Sequence, residues 1–155
     1  MSLRRWKGKL QRFVRLDAQD RLLLLRAVFW IGVARLWLAA FPFQRLASRL
    51  SAEGGLDGAD AELVRRIGNA VSAAGAHVPW RSDCFPRSIA AHQLLKSHGY
   101  ASTIHLGVEK AGNGELLGHA WVTCGGIVVT GGEQLDRYAE VHRLGAARPK
   151  VTLGE

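Results

Sequence analysis

From residue 22 to residue 43 the chain is apolar at nearly every position, interrupted by Arg26 and Arg35, and most of this run lies in the helical segment 17–40. Leu, Ala and Arg favour helix, Asp17 or Asp20 can cap the start, and Pro42 stops it, so one long helix is predicted here. Being apolar almost all round, it is expected to be covered on more than one side. A shorter helix is predicted over 44–50. Ala59, Leu63, Val64, Ile67, Ala70, Val71 and Ala74 then recur at three- and four-residue intervals, which predicts a helix ended by Gly75 and Pro79. The next helix starts at Cys84, with Ser82 or Asp83 as its cap and Pro86 in its first turn, and leaves at Gly99. Beyond Gly99 the period drops to two. Ala101, Ile104, Leu106 and Val108 predict one strand, 117–123 a second, and 127–130 a third across a tight Gly125-Gly126 turn, with a short edge strand at 138–142. Helices followed by an antiparallel meander make an α+β chain, with a nucleophile-bearing helix packed on the sheet. The glycine-rich stretch 51–58 is the best boundary. It divides the chain into an arginine-rich helical segment (1–53), a core (54–145) and a tail (146–155).

Composition sharpens this picture at three points. A chain of 155 residues that is 48% hydrophobic and 22% charged is long enough and apolar enough to bury a core, which excludes a disordered protein. Two cysteines, Cys84 and Cys124, without a C-x-x-C pair exclude a disulfide scaffold and a structural zinc site, so no metal or cofactor is expected. The formal charge of +8 sits unevenly: residues 1–50 hold 11 Lys/Arg against 2 Asp/Glu, and the remainder is nearly balanced. Arg4, Arg5, Lys7, Lys9, Arg12 and Arg15 read as a solvated basic arm, and nucleic acid is not expected as a partner. An arginine within a spanning helix costs roughly 2.5–3.5 kcal/mol, and the longest uncharged stretch of the apolar helix, 27–34, is too short for a bilayer. No signal cleavage site is evident. A soluble, cytoplasmic protein is expected.

Candidate chemistry centres on Cys84 and His119. At a helix start, unpaired N–H groups and the helix dipole favour the thiolate, which is the reactive form of cysteine. The same N–H groups can hold the oxyanion formed when that thiolate attacks a carbonyl. His119, on a strand, can act as base and then as acid toward a leaving amine. Trp121 lies on the His119 face and Trp80 precedes the cysteine, so both are candidates to line a substrate groove. Cys124 alternates off the His119 face and reads as a spectator. His105 reads as a structural histidine, and His77, His92, His98 and His142 make no ligand spacing.

The residues around these two positions resemble a known family. Pro79-Trp80-Arg81-Ser82-Asp83-Cys84-Phe85-Pro86-Arg87-Ser88-Ile89-Ala90 is similar to the cysteine motif of the B-type leader peptidases of lasso-peptide maturation. These peptidases belong to the transglutaminase-like cysteine protease superfamily. The likeness continues through Leu94-Leu95, Gly99 and Ile104-His105-Leu106-Gly107-Val108, and ends with Gly118-His119-Ala120-Trp121-Val122 and a glycine hairpin. It covers most of residues 20–145. It implies a transglutaminase- or papain-like fold, Cys84 as nucleophile and His119 as general base.

It also implies an aspartate about where Gly131 stands, and glycine cannot fill that role. With a three-residue turn at 124–126, His119 faces Gly131 and has Val129 and Glu133 as diagonal neighbours. With a two-residue turn it faces Gly132, beside Thr130 and Gln134. Glu133 is the first candidate for the third catalytic group, since a carboxylate best stabilises an imidazolium; a backbone carbonyl or a plain dyad are the alternatives.

The expected activity is removal of the leader from a lasso-peptide precursor, after which an ATP-dependent cyclase joins the freed amine to an acidic side chain. Residues 1–53 read as helices rather than a small winged β-rich domain. The expected partners are therefore the precursor leader peptide, a separate leader-recognition protein and the cyclase, with the recognition protein docked on the apolar helix near Arg26 and Arg35. Two rivals are a basic binding module with a structural Cys84, and an enzyme that passes the acyl group to an amine.

Overall fold

The computed structural model describes residues 16–51, 59–78, 83–133 and 135–145. Helix α1 spans Ala18–Ala40, α2 Phe43–Ser51, α3 Ala61–His77 and α4 Cys84–Ser97. Strand β1 spans Thr103–Lys110, β2 Leu116–Cys124 and β3 Ile127–Thr130; a 3-10 turn at Leu135–Arg137 precedes β4, Ala139–Gly145. The chain is α+β, as its pattern predicts. The basic arm, Trp80, Gln134 and the tail 146–155 lie outside the described residues.

Local chemistry accounts for the helix ends. The Asp17 carboxylate accepts from the Asp20 amide at 2.7 Å and the Asp60 carboxylate from the Glu62 amide at 2.9 Å, each satisfying an otherwise orphaned N–H. After α4 the chain leaves through Gly99, whose φ is +80°.

Helix α1 buries one stripe, Leu23, Ala27, Ile31 and Ala34, against α3 and α4. Leu22, Leu25, Phe29 and Leu36, from 56% to 70% exposed, face the other way. The cover expected on several sides is therefore present on one side among the described residues. By length and composition alone α1 could cross a membrane; the interruptions at Arg26 and Arg35 do not lower its apolar character enough to prevent that. Its inner stripe nonetheless belongs to the core. One apolar cluster joins Leu23, Ile31 and Leu50 to Ile67, Val71, Leu94, Ile104, Val122 and Leu144, so helices from both sides of the 51–58 stretch share a single core. Arg66 of α3 pins the start of α1, with Nε 2.8 Å from Asp20 Oδ1 and a terminal nitrogen 3.3 Å from Asp17.

The sheet is antiparallel in the order β3-β2-β1-β4. The last strand does not extend the meander beside β3. It crosses to the opposite edge and pairs with β1, setting Leu106 against His142. Helix α4 packs on β2, and α3 packs on β3. Gly68 makes the second contact close, because a Cβ there would collide with the Val129 carbonyl.

The β2–β3 register has the two-residue turn of one sequence alternative and the His119 pairing of neither. Cys124 pairs with Ile127 and Thr123 with Val128, which is the two-residue turn, but Val122 then pairs with Thr130. Val129 is the extra residue of a bulge. Pairing stops there, and the chain turns away through Gly131 at φ +72°. Among the described residues His119 therefore has no cross-strand partner on the β3 side.

Candidate active site

Cys84 is the first residue of α4, with Asp83 at the N-cap position. Asp83 makes no side-chain cap bond, so its carboxylate does not occupy the amides of the first turn. That carboxylate lies instead 3.6 Å from the Arg35 guanidinium of α1. Pro86, the third helical residue, has no N–H to leave orphaned. The amides of Cys84 and Phe85 thus form the anion-holding end of the helix. Phe85 is anchored by a ring contact with Phe43, centroids 5.6 Å apart.

The wall opposite comes from β2. His119, Cys84, Ser72, Arg87, Ala120, Thr130, Gly131 and Glu133 line one cleft of about 260 Å³. Two positions 35 residues apart in sequence, on a helix start and a central strand, are thereby brought to one place.

The His119 ring is fixed from two directions. Its Nε2 lies 2.8 Å from the Gly131 carbonyl oxygen. Since a carbonyl only accepts, Nε2 carries the proton, and in the neutral ring Nδ1 holds the lone pair. His119 also stacks on Tyr138, centroids 4.6 Å apart, and on Trp121 at 6.1 Å. The third group expected from sequence, Glu133, is exposed at the cleft, and the orienting bond is made by the Gly131 backbone. The reason is the bulge: it takes the chain away at Gly131 and aims a carbonyl, not the Glu133 side chain, at the imidazole.

Glycine is required on both sides of this histidine. Gly107, its partner in β1, leaves room for neighbouring rings: a Cβ there would sit 2.8 Å from Trp121 Cζ3 and 3.0 Å from Tyr138 Cβ. At Gly131 a Cβ would sit 2.5 Å from the Ala120 carbonyl oxygen.

Trp121 is 7% exposed and stacks on His105 at 5.2 Å and 5°; it backs His119 from within the protein and is not among the residues that line the cleft. The His105 ring is held by Thr123 Oγ1 at 2.8 Å from Nε2 and by the Glu140 carboxylate 3.4 Å from Nδ1, which makes it structural. Hydrogen bonding from Arg143, then from His105, holds the Glu140 carboxyl below the usual carboxylate range. Cys124 is buried, and burial pushes its thiol up, away from reactivity. Among the described residues no group of three or more His, Cys, Asp or Glu could hold a metal ion.

Sequence reasoning missed Tyr138, Ser72 and Arg87. Arg87 had a signal, since it stands one helical turn after Cys84. Tyr138 had none, because the Leu135–Arg137 turn and a strand crossing bring it back to His119.

The family model described as Transglutaminase-like superfamily matches residues 28–143. No curated protein and no solved structure matches the chain.

Proposed function

The chain belongs to the transglutaminase-like superfamily, a group of generally cysteine-dependent enzymes, and on that premise we propose that it is a cysteine peptidase that removes the leader from a lasso-peptide precursor. One observation carries the enzymatic part: Cys84 at a helix start and a histidine with an assigned tautomer line the same cleft. In the proposed reaction the Cys84 thiol passes its proton to His119 Nδ1 and the sulfur attacks the carbonyl at the leader–core junction. The amides of Cys84 and Phe85 hold the oxyanion. When the C–N bond breaks, His119 returns the proton to the departing amine of the core peptide, and the leader remains as a thioester. Water, deprotonated by His119, then releases the leader as a carboxylate.

The lasso-peptide assignment is supported by the sequence around Cys84 and His119 set out above. Delivery of the precursor by a recognition protein accords with the open cleft, because a flexible peptide held by few contacts binds weakly and tethering raises its local concentration. We place that protein on the exposed stripe of α1. The arginines beside it already have partners within the chain: Arg26 donates to Ser97 Oγ at 2.7 Å and Arg35 pairs with Asp83. The ATP-dependent cyclase would then consume the freed amine, in the cytoplasm.

The test is cleavage of a precursor peptide, with and without the recognition protein, by the wild-type chain and by Cys84→Ala. The expected result is a leader of hydrolysed mass, stimulated by the partner and absent in a folded Cys84→Ala. Full cleavage by that variant would overturn the cysteine mechanism. A product bearing an added amine would convert the reading to acyl transfer, and equal rates without the partner would remove the delivery step.

A further inference from the structure

The proposed reaction makes no use of Arg87, yet α3 is built around it. Gly75 lies buried near the end of α3, where glycine costs roughly 0.5–1 kcal/mol relative to alanine. Its φ is not in the left-handed region, so no turn requires it. What the missing Cβ provides is room: a Cβ at Gly75 would collide with Nε, Cζ and Cδ of Arg87. The guanidinium therefore lies across the α3 backbone, half-buried, with its stem fixed on α4 one turn after Cys84. From there it lines the cleft.

We infer that Arg87 is a specificity-determining residue that receives a carboxylate of the substrate on the acyl side of the attacked carbonyl. The assignment of side rests on the proposed function. Helix α4 holds both the nucleophile and the amides facing the oxyanion, so a cation on α4 lies with the acyl group. Glu133 lines the same cleft among residues that follow β3, on the His119 side where the amine departs. A cation by the acyl group and a carboxylate by the amine fit a peptide with an acidic residue just before the scissile bond. A guanidinium seated against helix backbone at Gly75 suits carboxylate recognition, because a fork ordered before binding loses less freedom on pairing.

The experiment does not need the natural substrate. Cys84 is alkylated by iodoacetate and, separately, by iodoacetamide; in each case the thiolate forms an S–C bond and iodide leaves. The two reagents differ in charge and little in size, so the ratio of their rates at Cys84, followed by peptide mass, reads the charge of the cleft at the nucleophile. Among the described residues the charged groups that line the cleft with Cys84 are Arg87 and Glu133, and Asp83, paired with Arg35, adjoins Cys84 in sequence. Arg87→Gln should lower the iodoacetate-to-iodoacetamide ratio by roughly tenfold, as loss of one nearby charge-assisted contact does. Arg87→Lys should retain part of it, since charge remains without the fork. Gly75→Ala should lower the ratio in the same direction by displacing the guanidinium, with no charge removed. A ratio unchanged within twofold in both Arg87→Gln and Gly75→Ala would overturn the inference. Should Arg87→Gln fail to fold, Gly75→Ala and Arg87→Lys decide it. A chain that discriminates the reagents yet cleaves no peptide would leave the carboxylate site standing and refute the peptidase reading. In a cleaving enzyme, a glutamate-to-glutamine change before the scissile bond should raise KM in the wild type and not in Arg87→Gln.

Discussion

Gly131→Asp is the substitution that sequence reasoning recommends, because the family resemblance implies an aspartate there. The structure forecasts damage instead of repair. A non-glycine residue at φ +72° costs roughly 1–2 kcal/mol. The new Cβ would stand 2.5 Å from the Ala120 carbonyl oxygen and 3.1 Å from the Trp121 Cα and Cβ. These are mostly backbone atoms of the central strand, so relief requires β2 or the β3 exit to move, which typically costs about 1–3 kcal/mol in a packed interior. Together the effects amount to about 2–5 kcal/mol, a large share of the stability of about 5–15 kcal/mol usual for a domain. At roughly 2–4 °C per kcal/mol for chains of this size, Tm should fall by on the order of 10 °C. The movement also displaces the carbonyl that orients His119, so cleavage and Cys84 alkylation should both slow, by at least about tenfold. Thermal melts and alkylation rates are measured on Gly131→Asp beside Gly131→Ala. Similar losses in the two identify the Cβ as the cause. A Gly131→Asp protein with unchanged Tm and faster cleavage would refute the reasoning and show that the carboxylate reaches the imidazole.

Replacing His119 with Ala should lower cleavage by at least about a hundredfold while leaving the melt near that of the wild type; a loss of a few-fold would mean that another group moves the proton. Gly107→Ala should push Trp121 and Tyr138 off the histidine, lowering kcat with little change in KM and altering tryptophan emission; an unchanged spectrum would show that the two rings accommodate the methyl. Glu140 has a folded pKa below its unfolded one, because Arg143 and His105 bond its carboxylate. The stability it contributes is therefore present above the ordinary carboxylate range and lost as pH falls through the lower folded value. Glu140→Gln should flatten the acid side of a Tm-against-pH curve, and an identical acid limb in both proteins would contradict this.

The helices were legible because their signals are local. Asp17 caps where it stands in sequence, Pro42 and Gly99 mark ends, and the three- and four-residue spacing of Val64, Ile67, Val71 and Ala74 is the buried face of α3. Cys84 was legible for the same reason, since a helix start is a sequence feature. The histidine's partner was not. It depends on Val129 adding one residue to β3, and alternating patterns do not reveal where a bulge falls. The apolar outer face of α1 misled in another way: composition indicates that a surface is apolar, not that something covers it. Tyr138 and the crossing of β4 to β1 were hidden because long-range pairing leaves no mark in a single strand's pattern.

Helix α4 is buried along most of its length, with Ser88, Ile89, Ala90, Ala91, Leu94 and Leu95 all at or below 4% exposure, and β2 is an interior strand of the sheet. Cys84 and His119 therefore ride on the two elements whose opening requires the whole domain to open, whereas β3 and β4 are the sheet edges where fraying starts. Thiol reactivity at Cys84 becomes a global probe as well as a local one. Hydrogen exchange should be slowest in the amides of the second half of α4 and the centre of β2. Denaturant curves followed by alkylation should overlay those followed by fluorescence. For this chain, loss of Cys84 reactivity and unfolding would be a single event rather than two in sequence.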